Sequence, residues 1–247
     1  MLYRFVMVLD RLLFAVLRTH RVVTGAENIP SDGGAVIAGT HFGYLEFALV
    51  AWVVWRHDRR KLRFMITSSA FRNPLLGSVL RRLGQIPVDR KAGAASFDVA
   101  VDALRGGSII FIFPEAGIDP SFTVRPLKTG AVRLASDAGV PLIPVGIWGG
   151  QRLLTREHKV GFLERFGIPV RILIGAPVPH DGERHEATDA LRASLQELVA
   201  TLQAGYPDDG TGMWWQPAAL GGTAPTPEEA AVLDAAVVAR REAKRAR

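Results

Sequence analysis

The chain has 247 residues, 48% of them hydrophobic, with no cysteine and a formal charge of +6. That is enough chain for one substantial domain and does not require two. The missing cysteine excludes disulfides, thiolate metal sites and cysteine nucleophiles, and the six histidines form no H-E-x-x-H pair, which argues against a zincin-like metal site. The basic balance admits nucleic acid, an anionic membrane or acidic metabolites as partners. The arginines are spread along the chain, part of the excess sits in the terminal run 240–247, and no zinc-finger or RNA-recognition signature is present. With so hydrophobic a composition, a membrane surface is favoured over nucleic acid.

Residues 2–18 read as a helix whose apolar run is interrupted by Arg4, Asp10, Arg11 and Arg18. The charges spoil a membrane span and a signal peptide. They suit a helix lying in a membrane interface, and equally one packed on the domain's own core. A short strand at 22–25 and a turn-rich connection follow. The apolar run 35–38 reads as a buried strand and 44–55 as a buried helix. A strand is predicted at 62–66, then a helix over 74–83 opened by Asn73-Pro74 and closed by Gly84. Beyond it come a strand at 86–88, a helix over 96–105, a strand at 109–113 and a loop over 114–126. A helix over 129–138 precedes a strand at 142–147, where Pro144 suggests an edge or a bulge. A strand at 170–174 and an amphipathic helix over 188–204 complete the alternating part.

Strands alternating with helices predict an α/β domain. It should have a mixed, largely parallel sheet flanked by helices, carrying the N-terminal amphipathic helix and a C-terminal helical appendage. The expected division is 1–20 for a membrane-interface helix, 21–205 for the domain, and 206–247 for a linker and terminal helix. Residues 206–226 are rich in Gly, Pro, Asp and Thr; Trp214 and Trp215 within them either pack on the domain or anchor at an interface. Thr226-Pro227-Glu228-Glu229 is a capping box for the last helix.

In such sheets function collects in loops at strand C-termini. Three such loops carry polar clusters: 39–46, 89–91 and 114–128. In the first, His41 lies five positions before Glu46. On a continuous helix that spacing separates side chains by roughly 140°. The two meet only if His41 is in the loop and Glu46 in the first helical turn, a bend that Gly39 and Gly43 permit. Glu46 then holds one ring nitrogen and leaves the other as a base. No serine partner stands at a recognisable spacing, so the nucleophile would be a substrate hydroxyl. Arg90, just past a buried strand, can present its fork to phosphate or carboxylate. Glu115 emerges after an apolar run, positioned to bond substrate hydroxyls or pair with Arg90 or Lys128. Lys128, at a helix start where the macrodipole disfavours a cation, fits an anionic ligand or plain solvent exposure.

Together these stretches resemble the glycerophospholipid acyltransferases, most closely the 1-acyl-sn-glycerol-3-phosphate acyltransferases. The resemblance spans about residues 20–180 and rests on four ordered blocks: His41-Phe-Gly-Tyr-Leu-Glu46, Gly84-Gln-Ile-Pro-Val-Asp-Arg90, Phe113-Pro-Glu-Ala-Gly117 and Val140-Pro-Leu-Ile-Pro144. It implies transfer of a fatty acyl group from acyl-CoA or acyl carrier protein to a lysophospholipid hydroxyl, first of all that of 1-acyl-sn-glycerol-3-phosphate. His41 would be the general base and Glu46 its orienter. Arg90, Glu115, Gly117 and Lys128 would bind substrate. No metal or bound cofactor is implied, and the protein would act peripherally at the cytoplasmic membrane face. Two departures stand out. Glu46 replaces the family's aspartate, and Ala116-Gly117-Ile118 stands where Gly-Thr-Arg is usual, so that Arg125 or another residue binds the headgroup, or the headgroup differs. Acylation of a different lipid or glycolipid, thioester or ester hydrolysis through His41, and a non-catalytic lipid-binding role are the competing expectations.

Overall fold

A computed structural model describes residues 1–88, 93–115, 117–156 and 158–245. Among these residues seven strands form one sheet: β1 (His20–Thr24), β2 (Ala35–Gly39), β3 (Leu62–Thr67), β4 (Ile86–Val88), β5 (Ile109–Ile112), β6 (Leu142–Trp148) and β7 (Pro169–Ile174). Their order is β1-β7-β6-β2-β5-β3-β4, parallel throughout except for the antiparallel β6–β7 pair. The helices are α1 (Leu2–Val16), α2 (Glu46–Asp58), α3 (Pro74–Arg82), α4 (Gly93–Arg105), α5 (Gly130–Ala138), α6 (Arg184–Ala204) and α7 (Pro227–Arg245). This is the predicted mixed, largely parallel α/β sheet flanked by helices.

The apolar runs are continuous because both faces of the central strands are covered. Along β2, Ala35 and Ile37 join a core with α1 and α2, while Val36 and Ala38 join a second core with α4, α5 and α6. That split follows from the two-residue period of a strand. The caps form as their sequences predict. Asn73 accepts the N–H groups of Leu75 and Leu76 at 3.1 and 3.0 Å, and Thr226 and Glu229 exchange reciprocal bonds.

Pro144 lies in an interior strand, beside a bulge-like slip: the antiparallel pairing shifts by one residue between Val145–Ile174 and Leu142–Val178. β6 runs between β2 and β7, and Pro144 comes just before the β7 ladder begins at Val145. The carbonyls of Leu142 and Pro144 accept from Val178 and Gly175, so the proline nitrogen faces the segment where β7 has already ended. A missing N–H costs no ladder bond there.

α1 does two things at once. Tyr3, Met7, Asp10 and Phe14 turn inward, and the Tyr3 hydroxyl accepts the Leu62 N–H at 3.0 Å. Phe5, Val8, Leu9, Leu12, Leu13 and Val16 stay exposed. Among the described residues no helix is long and apolar enough to cross a membrane.

Residues 206–226, read from composition as a linker, are packed against the domain. Trp215 is 2% exposed within the α4–α5–α6 core, Tyr206 meets its ring at 5.5 Å, and Trp214 stacks on His158 at 3.9 Å. Of the two readings of this tryptophan pair, packing is what the fold adopts. Gly and Pro here shape a compact surface turn system whose aromatic residues supply the burial.

Candidate active site

β2 and β5 are neighbours in the sheet and run parallel, so the loops leaving their carboxyl ends emerge side by side. These loops carry the first and third polar clusters. Gly39 ends β2 against the Phe111 ring, where an added Cβ would come within 2.6 Å. Gly43 packs on the Gly150 carbonyl, where a Cβ would come within 2.9 Å. Both glycines are needed for close approach, and the tight bend between them sets His41 in the loop and Glu46 at the first position of α2.

The bend is held from three sides. The His41 N–H donates to Glu115 Oε1 at 3.0 Å, and the His41 carbonyl accepts the Asp119 N–H at 3.1 Å. Thr155 Oγ1 donates to the Phe42 carbonyl at 2.7 Å, and the Tyr44 N–H donates to the Leu154 carbonyl at 2.8 Å. The imidazole stacks on Phe113, centroids 3.7 Å apart and planes 16° apart. Its Nδ1 stands 3.3 Å from Glu46 Oε2. Among the described residues Nε2 has no hydrogen-bond partner. Glu46 is fully buried and accepts the Phe42 N–H with both oxygens, at 3.1 and 2.9 Å. The longer glutamate thus reaches the histidine, its extra methylene absorbed within the turn.

Burial lowers the His41 pKa to about 4, assisted by the positive charge of Arg125. The imidazole is therefore neutral at physiological pH and available as a base. Burial raises Glu46, opposed by the N–H groups of Gly43 and Phe42. Burial is the larger of the two effects; where the carboxylate is ionised, as when it faces an imidazolium, it keeps the proton on Nδ1 and leaves Nε2 for exchange with substrate.

Glu115 bonds the His41 backbone, and among the described residues it forms no ion pair with Lys128. It is 4% exposed, supports the His41 backbone, and leaves Oε2 without a hydrogen-bond partner. Burial raises its pKa to about 8. Gly117 lines the same cavity as His41, and its carbonyl accepts Arg125 Nη2 at 2.7 Å. Lys128 is exposed beside the same turn, its N–H on the Pro114 carbonyl at 2.9 Å. Arg90 lies outside the described residues; Val88, at the end of β4, lines the cavity. Ile118 is buried.

The cavity measures about 940 Å³ and runs from His41, Phe113 and Gly117 between α1, α2 and β3 toward α3. Its wall is apolar, including Val6, Leu13, Ala48, Phe64 and Leu83. Asp10 is a polar exception, its carboxyl raised to about 6 by burial and opposed by Arg21 at 3.7 Å. Sequence reasoning missed this cavity and missed the His41–Phe113 stack. Both are assembled from segments far apart in the chain.

A histidine paired with a fully buried glutamate at the head of an apolar cavity of about 940 Å³ is an arrangement that suits an enzyme acting on an acyl chain. The sequence model of the acyltransferase family matches residues 20–148. The chain is 31% identical over 189 residues to a 1-acyl-sn-glycerol-3-phosphate acyltransferase of Bacillus subtilis, covering 75% of this chain and 92% of that one. It is 29% identical over 192 residues to a protein of the same name from Borreliella burgdorferi, covering 74% and 72%. In fold it is similar to the crystal structure of the 1-acyl-sn-glycerophosphate acyltransferase PlsC from Thermotoga maritima, with a TM-score of 0.68 and 21% identity, covering 83% and 81% of the two chains. The chain belongs to the acyltransferase family, as an O-acyltransferase of the glycerophospholipid type.

Proposed function

We propose that this enzyme transfers a fatty acyl group from a thioester, acyl-CoA or acyl carrier protein, to the free hydroxyl of a lysophospholipid. The acceptor favoured is 1-acyl-sn-glycerol-3-phosphate, the substrate in the names of the Bacillus and Borreliella relatives. The observation that carries this reading is the neutral His41, held by Glu46, at the head of a cavity of about 940 Å³ with apolar walls.

His41 Nε2 takes the proton of the acceptor hydroxyl as the oxygen attacks the thioester carbonyl. Glu46 stabilises the imidazolium that forms. The tetrahedral intermediate collapses by breaking the C–S bond, and the imidazolium returns its proton to the departing thiolate. An ester and a free thiol result, and no step calls on a metal or a bound cofactor. The apolar cavity takes an acyl chain. The exposed apolar face of α1, with Arg4 and Arg11 on the same helix, docks the enzyme peripherally on the cytoplasmic face of an anionic membrane, where such thioesters occur.

The test is purified protein with acyl-CoA or acyl carrier protein donors and a panel of lysolipids, beside His41→Ala. The variant should lose roughly 10²–10⁴ in kcat. Acylated lipid formed at the wild-type rate by His41→Ala would sink the mechanism. Free fatty acid without acylated lipid would make the protein a hydrolase.

A further inference from the structure

Arg125 and Arg156 each belong to a segment that holds the active-site loop. Arg125 is tied through Nη2 to the carbonyl of Gly117, which lines the cavity with His41. Its charge is felt at both His41 and Glu115. Arg156 follows Thr155, whose hydroxyl is bonded to the Phe42 carbonyl. The two guanidinium groups converge on a single carboxylate, Asp234 of α7. Arg125 Nη1 bonds its Oδ2, and Arg156 Nη1 stands 2.7 Å from its Oδ1. One carboxylate oxygen on each of two forks is an arrangement a phosphate monoester reproduces with an oxygen to spare. All three side chains keep partial solvent access, 17–27% exposed, so the anion held there can be exchanged. Arg125 Nε is buried without a hydrogen-bond partner, its nearest carboxylate being Asp119 Oδ2 at 3.8 Å. Ile118, where the family has arginine, is buried and cannot take this part.

We infer that Arg125 and Arg156 form a binding site for the phosphate monoester of the acceptor, and that Asp234 occupies it in the free enzyme as an internal stand-in. The inference rests on the proposed reaction for the identity of the ligand. The C-terminal helix then competes with the acceptor. Phosphate displaces the Asp234 carboxylate, and α7 is held over the site when acceptor is absent. His41 lines the acyl cavity and feels the charge of Arg125.

Binding without turnover tests this. Full-length protein is titrated calorimetrically with 1-hexanoyl-sn-glycerol 3-phosphate, with neutral 1-hexanoylglycerol in parallel and no acyl donor. Asp234→Asn, which keeps the shape and removes the charge, should bind the phosphate compound about three- to ten-fold more tightly than wild type, the scale of a partly exposed ion pair. Arg125→Gln should bind it about ten-fold or more weakly. The neutral compound should not distinguish the three proteins. Equal or weaker phosphate binding by Asp234→Asn would overturn the inference and make Asp234 a structural strut. So would wild-type binding by Arg125→Gln. If Arg125→Gln fails to fold, the Asp234→Asn result decides alone. Because no donor is present, the absence of acyl transfer would leave a positive binding result standing. Acyl transfer with identical binding in all variants would sink the site and spare the reaction.

Discussion

Glu115 offers a test of the site's architecture that is independent of catalysis. Its carboxyl is buried beneath the His41 loop, with Oε1 on the His41 N–H at 3.0 Å and Oε2 unbonded. Burial lifts its pKa from 4.5 to about 8, the His41 N–H opposing and the nearby Asp119 and Glu46 adding to the rise. A folded-state pKa above the unfolded value means the folded protein binds the extra proton. The stabilisation is therefore complete below pH 4.5 and is lost progressively as pH rises through about 8. At roughly 1.4 kcal/mol per unit of pKa difference, the loss is on the order of several kcal/mol. Glu115→Gln keeps the acceptor for His41 and cannot ionise. Urea denaturation of both proteins should give midpoints close together near pH 5. They should diverge toward pH 9, with Glu115→Gln the more stable by several kcal/mol. Taking the difference between the two curves removes the titrations of Asp10 and the His41–Glu46 pair, which both proteins share. Parallel curves from pH 5 to pH 9 would refute the reasoning, because they would mean that Glu115 ionises without cost and is not confined as described.

Three further outcomes are expected. Glu46→Asp draws the carboxylate back by about 1.5 Å, one C–C bond, from a contact already at 3.3 Å; kcat should fall roughly 10²-fold with KM little changed, and wild-type kcat would show that the backbone closes the gap. Trp215→Ala, in a stretch that reads as a linker, removes a side chain 2% exposed and should cost about 3–5 kcal/mol in urea denaturation; a loss below about 1 kcal/mol would mean the stretch is not part of the core. Replacing the exposed Val8 and Leu12 of α1 by serine leaves the inward stripe of Tyr3, Met7 and Phe14 intact; flotation with anionic vesicles should weaken several-fold while thermal stability holds, and undiminished flotation would place the membrane contact elsewhere.

Much of this molecule follows from local pattern. Strands such as β2 and β5 are legible because interior parallel strands must be apolar on both faces, and helix caps because Asn73 and Thr226–Glu229 satisfy backbone groups a few residues away. The His41–Glu46 pair is legible for the same reason: five residues, two glycines and one helix start determine it within a single turn. What tertiary structure alone decided involves partners far apart in the chain. Pro144 is harmless in an interior strand only because β7 ends beside it. Glu115 supports the histidine backbone 74 positions earlier, a role that no spacing within its own loop predicts. The tail is part of the core because Trp215 fills a space that the sheet and helices leave. The pairing of Arg125 with Asp234, 109 residues apart, depends on where α7 comes to rest. Short-range geometry is written in the spacing of residues, whereas burial, and the pKa shifts that follow from it, exist only once distant segments have closed around a side chain.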